Sequence, residues 1–388
     1  METKTITRNN YLDWLRVLLI LTVFFFHSLR FFDLNDWQIK NPTTYFGPLA
    51  AVFFISSWMM PLIFVVSGAS IYYALRKGSS GRFIHDRSLR LLVPLAVGLF
   101  THAALQAYLE RITHGWYSGA FWQFYPGYVG SAVTGSFNWT GFHLWYLEAL
   151  FAFSLLCLPL LQWLRKGAGT RLGVRLAASG AIYLPALLVA LFSTLPDPNS
   201  SFLFDFMSFG GWNIPSYLVF FLVGFLVVAS ERLQARILSL RWVSLAIGLV
   251  TTLAYFGLYA AFGDLKYGSL GFALIMPLRG ISGWCWTLGI LALGMQRLTS
   301  RPAWLNYANE AVLPFYVLHQ SVLIVIGYFV VQSGLPDLLK WAVIVASSFA
   351  TIMILYEGLI RRINVLRFLF GMKALKKEET PAVVPARA

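Results

Sequence analysis

Ten apolar blocks, most of them about 20 residues long, follow one another along this 388-residue sequence. A helix of about 20 residues crosses the roughly 30 Å of hydrocarbon in a bilayer. Only 12% of the residues are charged, whereas soluble domains carry about 25%. That charge is too little to cover a soluble surface, so lipid is the expected solvent.

Helices are the expected secondary structure because a backbone in lipid must satisfy its own hydrogen bonds, and the alternating strands of a membrane barrel are absent. The sequence therefore predicts an all-α fold, a polytopic membrane helical bundle of about ten transmembrane helices. The predicted spans are 12–32, 46–75, 91–109, 141–164, 176–195, 214–230, 242–262, 269–294, 311–331 and 339–360.

Basic residues are concentrated at alternate junctions between these blocks. If the N-terminus is cytoplasmic, 23 of the 30 Lys and Arg residues lie in inner segments and four lie in outer ones. The positive-inside rule favours this arrangement, so we predict a multi-pass protein of the cell inner (plasma) membrane with both termini cytoplasmic. The net charge of +14 is then a topology signal. No nucleic-acid partner is expected, because such proteins gather basic residues on one soluble face.

No internal repeat or separate soluble domain is visible in the sequence. Residues 1–372 form one predicted membrane domain, and 373–388, charged and then rich in Pro and Ala, form a predicted disordered cytoplasmic tail. Metal-binding and soluble-enzyme motifs such as CxxC, HExxH and the P-loop are missing, so we predict no metal site and no permanently bound cofactor. Cys157 and Cys285 lie inside apolar blocks, which indicates buried small hydrophobes.

The first span carries two ionisable residues, Arg16 and His27. A charge near the bilayer centre costs at least about 2.5–3.5 kcal/mol on insertion scales, so such residues are functional candidates. They are 11 positions apart, which places them within about 20° of one helix face and about 16 Å apart along the axis. The alternatives are that Arg16 snorkels to the inner interface and that His27 makes a hydrogen bond between helices.

The segment 76–90, RKGSSGRFIHDRSLR, leads into the third predicted span. Arg87 and Arg90 are three positions apart, so they share a face at the expected start of that helix. A helix N-terminus adds free N–H groups and positive potential, which suit an anion such as phosphate. The alternative is a purely topological inner loop without a ligand.

Further ionisable residues follow in the later spans. The fourth span begins with HLWYLEALF, in which His143 and Glu148 point in different directions and either could face His27. Arg279, in the eighth span, needs a partner or water, and Glu148 is a candidate counter-ion. For His319, in the ninth span, a satisfied core role and a functional role both remain open.

Two other features also have more than one interpretation. The outer loop 110–140 is crowded with aromatic residues, which indicates either an interfacial aromatic belt or a stacking platform for a sugar. The small pair Ser67-Gly68 ends an apolar run and indicates close packing of two helices.

Five motifs are informative about the family of the protein. They are YLDWLRVLLILTVFFFH, PLIFVVSG, RSLRLLVP, HLWYLEALF and LPFYVLHQSVLI. In this order they resemble the acyltransferase-3 family of integral membrane acyltransferases. The resemblance covers Tyr11 to about Arg367. Within the family, the chain is most similar to the branch that succinylates osmoregulated periplasmic glucans.

The resemblance implies transfer of an acyl group, acetyl or succinyl, from cytoplasmic acyl-CoA to a hydroxyl of an extracytoplasmic carbohydrate or glucan. Arg16, Arg87 and Arg90 would hold the CoA phosphates, since arginine matches phosphate geometry. His27 would be the general base, because an imidazole titrates near neutrality, and Glu148 would orient it. A covalent acyl-histidine is the alternative route.

The expected substrate-binding residues are His143, Trp145, Arg279 and His319. The expected partners are the lipid bilayer, acyl-CoA and a carbohydrate acceptor. A transporter or flippase for an acylated carrier or glycan is the alternative from another class, but the internal repeats and broken spans typical of transporters are not evident. A non-catalytic sensor is favoured only by the aromatic outer loop.

We predict that Lys77, Arg82 and the loop 165–175 face the cytoplasm and that 110–140 faces outward, because of the charge asymmetry. The measurement is labelling of single cysteines by an impermeant reagent in intact cells, with Cys157 and Cys285 replaced. A cysteine at position 82 should label only after the membrane is opened. Labelling at that position from outside would contradict the topology.

Overall fold

The computed structural model describes residues 10–76, 78–134, 142–198, 200–201, 203–205, 209–263 and 265–375. Of the predicted disordered tail, residues 376–388 lie outside this described part, as does the topology marker Lys77. Within the described ranges the fold is helical and contains no strand, which confirms the predicted all-α class.

Sixteen α-helices make up the described part of the chain. They are α1 (Asn10–Leu29), α2 (Phe46–Ala74), α3 (Ser80–Phe100), α4 (His102–Thr113), α5 (Phe121–Thr134), α6 (Trp145–Leu156), α7 (Leu158–Trp163), α8 (Gly169–Leu176), α9 (Leu184–Thr194), α10 (Ile214–Ala229), α11 (Glu231–Ser239), α12 (Arg241–Phe262), α13 (Leu270–Arg297), α14 (Ala303–Val330), α15 (Asp337–Leu355) and α16 (Asn364–Leu369).

Among the described residues, seven helical segments are long and apolar enough to cross a membrane, and nine if each of two bent pairs counts as one span. The bent pairs are α6 with Leu158–Leu176, at 60°, and α10 with α11, at 108°. The fifth predicted span, 176–195, corresponds only to the shorter apolar helix Ala181–Thr194. The multi-pass bundle is therefore confirmed, while a tenth span stays a prediction.

The third span begins earlier than the sequence suggested. Ser79 caps α3 by accepting a hydrogen bond from the backbone N–H of Arg82 at 3.3 Å, so the helix starts at Ser80 rather than near residue 91. Arg87 and Arg90 still share one face, but they lie about two to three turns inside the helix. The predicted help from a helix N-terminus at these residues is wrong, because that field fades within the first turn.

The centre of the bundle is α2, which packs against α1, α10 and α13. Every residue of α2 from Met59 to Ala69 is buried. A helix that is apolar all round is expected at the centre of a bundle. By contrast, few residues of α12 and α15 are buried, so both helices lie at the periphery, where lipid would cover them.

Two glycines bring α2 and α10 into backbone contact. A Cβ atom on Gly68 would overlap the carbonyl oxygen of Phe221, and one on Gly224 would overlap the carbonyl oxygen of Val65. Small residues allow such close approach between membrane helices. The close packing predicted at Ser67-Gly68 is confirmed.

We expect Gly68→Ala to destabilise the protein by at least about 1–3 kcal/mol, since a backbone carbonyl cannot move aside as a side chain can. The matched control is Gly257→Ala on α12, where an added Cβ would meet no atom within 4 Å. Thermal unfolding of both purified variants in detergent checks the prediction. A parental melting temperature for Gly68→Ala would contradict it.

Candidate active site

A cavity of about 1090 Å³ lies at the end of the bundle that carries Arg16. Its lining includes seven cations and two carboxylates, so we call it the basic cavity. Arg16 on α1 and Arg87 and Arg90 on α3 all line it. The other charged residues of the lining are Arg76, Arg82, Arg367, Lys373, Asp86 and Glu310. The structure thus brings together the three arginines that the sequence grouped as anion-binding.

Three helices hold Arg16 in place. Its guanidinium donates to Asp13 on α1 at 2.9 Å, to Ser70 on α2 at 2.7 Å and to Asn309 on α14 at 3.2 Å. The side chain remains 24% exposed, so part of the guanidinium still faces the cavity. Arg16 is therefore a braced cation on the cavity surface.

The guanidinium of Arg87 can bind an incoming anion more readily than that of Arg16, which already donates to three side chains. Its guanidinium lies 5.4 Å from the centre of the Phe83 ring and, in the ranges that the structure covers, forms no hydrogen bond or ion pair. The charged side chains that act on it include Arg90 and Arg16, both cations. An anion entering the basic cavity would relieve this repulsion.

Two tyrosines mark the apolar end of the basic cavity. Tyr146 and Tyr316 both line it, and their rings meet edge to face at 5.6 Å. Ser67 donates to the Ile63 carbonyl, so the 2.6 Å contact between Ser67 and Tyr146 places the Tyr146 hydroxyl as donor. The Tyr316 hydroxyl donates to the backbone carbonyl of His143. Tyr316 thus connects the basic cavity with a cluster of histidines beyond it.

His27 and His319 form the central pair of that cluster. His319, fully buried, places Nδ1 2.5 Å from the carbonyl of Tyr316 and Nε2 3.1 Å from Nδ1 of His27. A carbonyl can only accept, so Nδ1 of His319 is the protonated nitrogen and its Nε2 is an acceptor. Nδ1 of His27, also 3.0 Å from the Val23 carbonyl, is then the donor.

The contacts of His27 leave its other nitrogen free for chemistry. With Nδ1 protonated, Nε2 carries the lone pair. Nε2 makes no hydrogen bond to any residue within the described ranges, and His27 is only half-buried. His27 is therefore held in the tautomer that a general base requires.

A second layer of polar side chains supports this pair. His143 donates from Nε2 to the Val317 carbonyl at 3.0 Å and accepts from Gln106 at 3.3 Å. Gln106 also donates to Ser321, which lies 2.6 Å from His102. The rings of His143 and His319 meet edge to face at 5.0 Å. This network fixes α4 and the start of α6 against α14.

The segment 30–45, which follows α1, covers His27. The Trp37 ring stacks on His27 with centroids 6.1 Å apart, and Gln38 accepts from Gln320 at 2.8 Å. Gln38 also donates to Glu110 at 3.4 Å. Trp37 thus covers one face of the imidazole, and Gln38 joins the segment to α14 and α4.

A buried ion cluster shapes this segment. Asp33 is fully buried and accepts from Lys40 at 2.7 Å and from Arg30. Lys40 also donates to the carbonyls of Arg30 and Asp33, each at 2.6 Å. Burial lowers the pKa of Lys40 and of Arg30, while the Asp33 carboxylate opposes that shift. The cluster closes the loop that holds Trp37 against His27.

Other predicted residues lie elsewhere. Glu148 is half-buried and forms no hydrogen bond or ion pair with any described residue. It does not contact Nδ1 of His27, where His319 and Val23 lie instead, so the predicted orienting role belongs to His319. Glu148 also forms no ion pair with Arg279.

Trp145 and Arg279 do not line the basic cavity. Trp145 is buried in an aromatic cluster, with the Tyr217 ring 5.2 Å away. The guanidinium of Arg279, also buried, lies 4.6 Å from the centre of the Trp212 ring. Both pack beside α2 rather than at His27.

Several residues that shape the site were not predicted from the sequence. Gln38, Gln106 and Gln320 are amides in or beside apolar blocks, a signal that was readable but is weaker than a charge. Trp37 and Tyr316 look like ordinary interfacial or core aromatics. Nothing in the local pattern showed that they flank His27 and His319.

A family model described as an acyltransferase domain matches residues 9–357. The chain belongs to the acyltransferase-3 family. It is also similar to glucans biosynthesis protein C of Salmonella paratyphi B, with 23% identity over 99% of this chain and 100% of the relative. The proteins of that name from Salmonella heidelberg and Salmonella agona are 22% and 23% identical over the same shares. No solved structure matches the chain.

This membership confirms the resemblance seen in the sequence. The protein is a membrane acyltransferase, rather than the transporter or sensor considered as alternatives. The geometry then gives His27 and His319 distinct parts. His27 presents a free nitrogen, while His319 and the Val23 carbonyl both accept from Nδ1 of His27.

We expect His319→Phe to lower acyl-transfer turnover by about a hundredfold, because a ring without nitrogen cannot accept from His27, which then keeps only the Val23 carbonyl as partner and is no longer held in position. Turnover and thermal unfolding of the purified variant are measured together, with His85→Phe on an exposed position of α3 as control. The positioning role fails if folded His319→Phe works at the parental rate.

Proposed function

We propose that the protein is an O-acyltransferase that moves an acetyl or succinyl group from cytoplasmic acyl-CoA to a hydroxyl of an extracytoplasmic carbohydrate, with a glucan as the acceptor. The observation that carries this proposal is the connection of the basic cavity to His27. Tyr316 lines the cavity and accepts through its carbonyl from His319, which in turn contacts His27.

The basic cavity suits a phosphorylated donor. CoA carries several phosphate charges on a long flexible thioester arm, and arginines bind phosphate with charge-assisted hydrogen bonds. Arg87 and Arg90 would hold those phosphates, with braced Arg16 at the wall. The apolar part of the cavity lining, which includes Leu19 and Leu150, would bind the thioester arm of the donor. The thioester would then point toward Tyr316.

The proposed topology places the basic cavity at the cytoplasmic face. The segment from Arg76 to Arg90 carries the strongest cluster of positive charge outside the termini, which the positive-inside rule assigns to the cytoplasm. The proposal has ten spans in the inner membrane with both termini cytoplasmic. His27 then lies toward the far face, where a secreted carbohydrate would arrive.

The segment 30–45, which covers His27, would form the binding site for the acceptor. Trp37 offers an aromatic face stacked on the imidazole, and the neighbouring Gln38 and its partner Glu110 add an amide and a carboxyl group. Such groups suit sugars, which combine apolar ring faces with hydroxyl donors. Because the similar Salmonella proteins are named for glucan biosynthesis, we infer that the acceptor is a glucan.

The reaction follows from these positions. Nε2 of His27 removes the proton of the acceptor hydroxyl as its oxygen attacks the thioester carbonyl. The carbon–sulfur bond then breaks, the new ester remains on the sugar, and the CoA thiolate takes the proton back from His27. His319 accepts the hydrogen bond of Nδ1 throughout and holds the ring in place.

The test is release of free CoA by the purified protein from acetyl-CoA or succinyl-CoA in the presence of a glucan. We expect His27→Gln to lose about a hundredfold or more of this activity, typical of removing a general base. Thermal unfolding should stay close to the parent, because glutamine can keep a hydrogen bond to Val23 or His319. The control is His85→Gln, at an exposed position.

If folded His27→Gln transfers acyl groups at close to the parental rate, His27 is not the general base. Absence of acceptor-dependent CoA release by the parental protein with both thioesters would contradict the donor itself.

A further inference from the structure

The chain beyond the last span folds back onto the basic cavity. After α15 the helix α16 and the turn that follows it contribute Arg367, Phe368, Gly371, Met372 and Lys373 to the cavity lining. The backbone N–H of Leu375 donates to the Asn364 side chain at 2.8 Å, which ties the end of this segment to its beginning. Residues 364–375 are therefore part of the folded domain, although the sequence placed the start of a disordered tail at 373.

Arg367 braces this segment from inside. It is buried, and its three guanidinium nitrogens each donate to a different acceptor. The bonds run to Glu310 on α14 at 2.7 Å, to the Arg361 carbonyl at 2.9 Å and to the Lys373 carbonyl at 2.6 Å. Arg367 thus fixes the backbone from which the Lys373 side chain extends.

Gly371 allows the turn after α16 to pack closely against α3, the helix that carries Arg87 and Arg90. It adopts a positive φ of 68°, which disfavours any other residue. A Cβ at this position would lie 2.6 Å from the carbonyl oxygen of Arg90 and 2.8 Å from Leu313. Only glycine lets the turn approach α3 this closely, beside the arginines proposed to bind the donor.

We propose that residues 364–373 are a built-in part of the donor site, in which Lys373 binds a phosphate of the donor and the Arg367–Glu310 pair positions it. This inference rests on the proposed function, since it adds one cation to the same acyl-CoA site. Lys373 is exposed and lines the same cavity as Arg87 and Arg90, so a phosphate held by either arginine would have a lysine near it. An ammonium on a flexible stem can adjust to such an anion.

A phospholipid headgroup offers the same phosphate chemistry at this membrane end. The experiment therefore measures CoA binding to the full-length protein by calorimetry in nanodiscs of neutral lipid, and again in nanodiscs that contain anionic lipid. In neutral lipid, Lys373→Ala should weaken CoA binding about tenfold or more, as expected for loss of a charge-assisted contact. Lys373→Arg should restore most of the affinity.

The positioning part has its own variants. Gly371→Ala should also weaken CoA binding and raise the KM for the donor, while the KM for the acceptor stays constant. Its matched control is Gly358→Ala at the same end of the bundle, where an added Cβ would meet no atom within 4 Å. Arg362→Ala removes a cation that is 68% exposed and does not line the cavity, which controls for net charge.

The outcomes separate this inference from the function on which it rests. If the parent binds CoA and both Lys373→Ala and Gly371→Ala bind it equally well, the inference is overturned and the proposed function stands. If the parent binds no CoA in either lipid, the proposed function falls and the inference falls with it. If Lys373→Ala changes CoA binding only in nanodiscs that contain anionic lipid, Lys373 binds a lipid headgroup, and the inference is likewise overturned.

Discussion

Hydrocarbon offers no hydrogen bonds, and this constraint orders the whole structure. A polar group on a span is stabilised by a partner inside the bundle. Arg16 finds Asp13, Ser70 and Asn309, while His27 finds Val23 and His319. Both sets use α1 and α14, so satisfying the polar groups also brings the two helices into register. The site is thus a consequence of the same requirement that assembles the bundle.

The apolar framework makes this pairing stable. Because α2 is buried on every side between Met59 and Ala69, and because Gly68 meets the backbone of α10, the centre of the bundle cannot slide easily. Ser67 and Ser70 lie on this fixed helix and reach Tyr146 and Arg16. Arg16 and Tyr146 are therefore both anchored to a helix at the centre of the bundle.

The sequence predicted what depends on one helix at a time. Spacing placed Arg16 and His27 on one stripe of α1, and Arg87 and Arg90 on one face of α3. It did not predict that His319 rather than Glu148 contacts His27, because the two histidines are 292 positions apart and meet only through tertiary packing. The fold-back of residues 364–375 was also missed, because hydropathy ends with the last apolar block.

The pairing of α1 with α14 also sets a distance. Arg16 and His27 are 11 residues apart on α1, and Asn309 and His319 are ten apart on α14, so each helix spans about 15–16 Å between its two contacts. Since both helices are continuous over these stretches, the interval between Arg16 and the His27 imidazole is fixed by helix geometry. A donor anchored by its phosphates at one end would therefore deliver its thioester at a constant depth. A one-residue insertion in α1 would turn His27 by about 100° away from His319 while leaving Arg16 in place, so the two ends of the site depend on an uninterrupted helix as much as on the residues themselves.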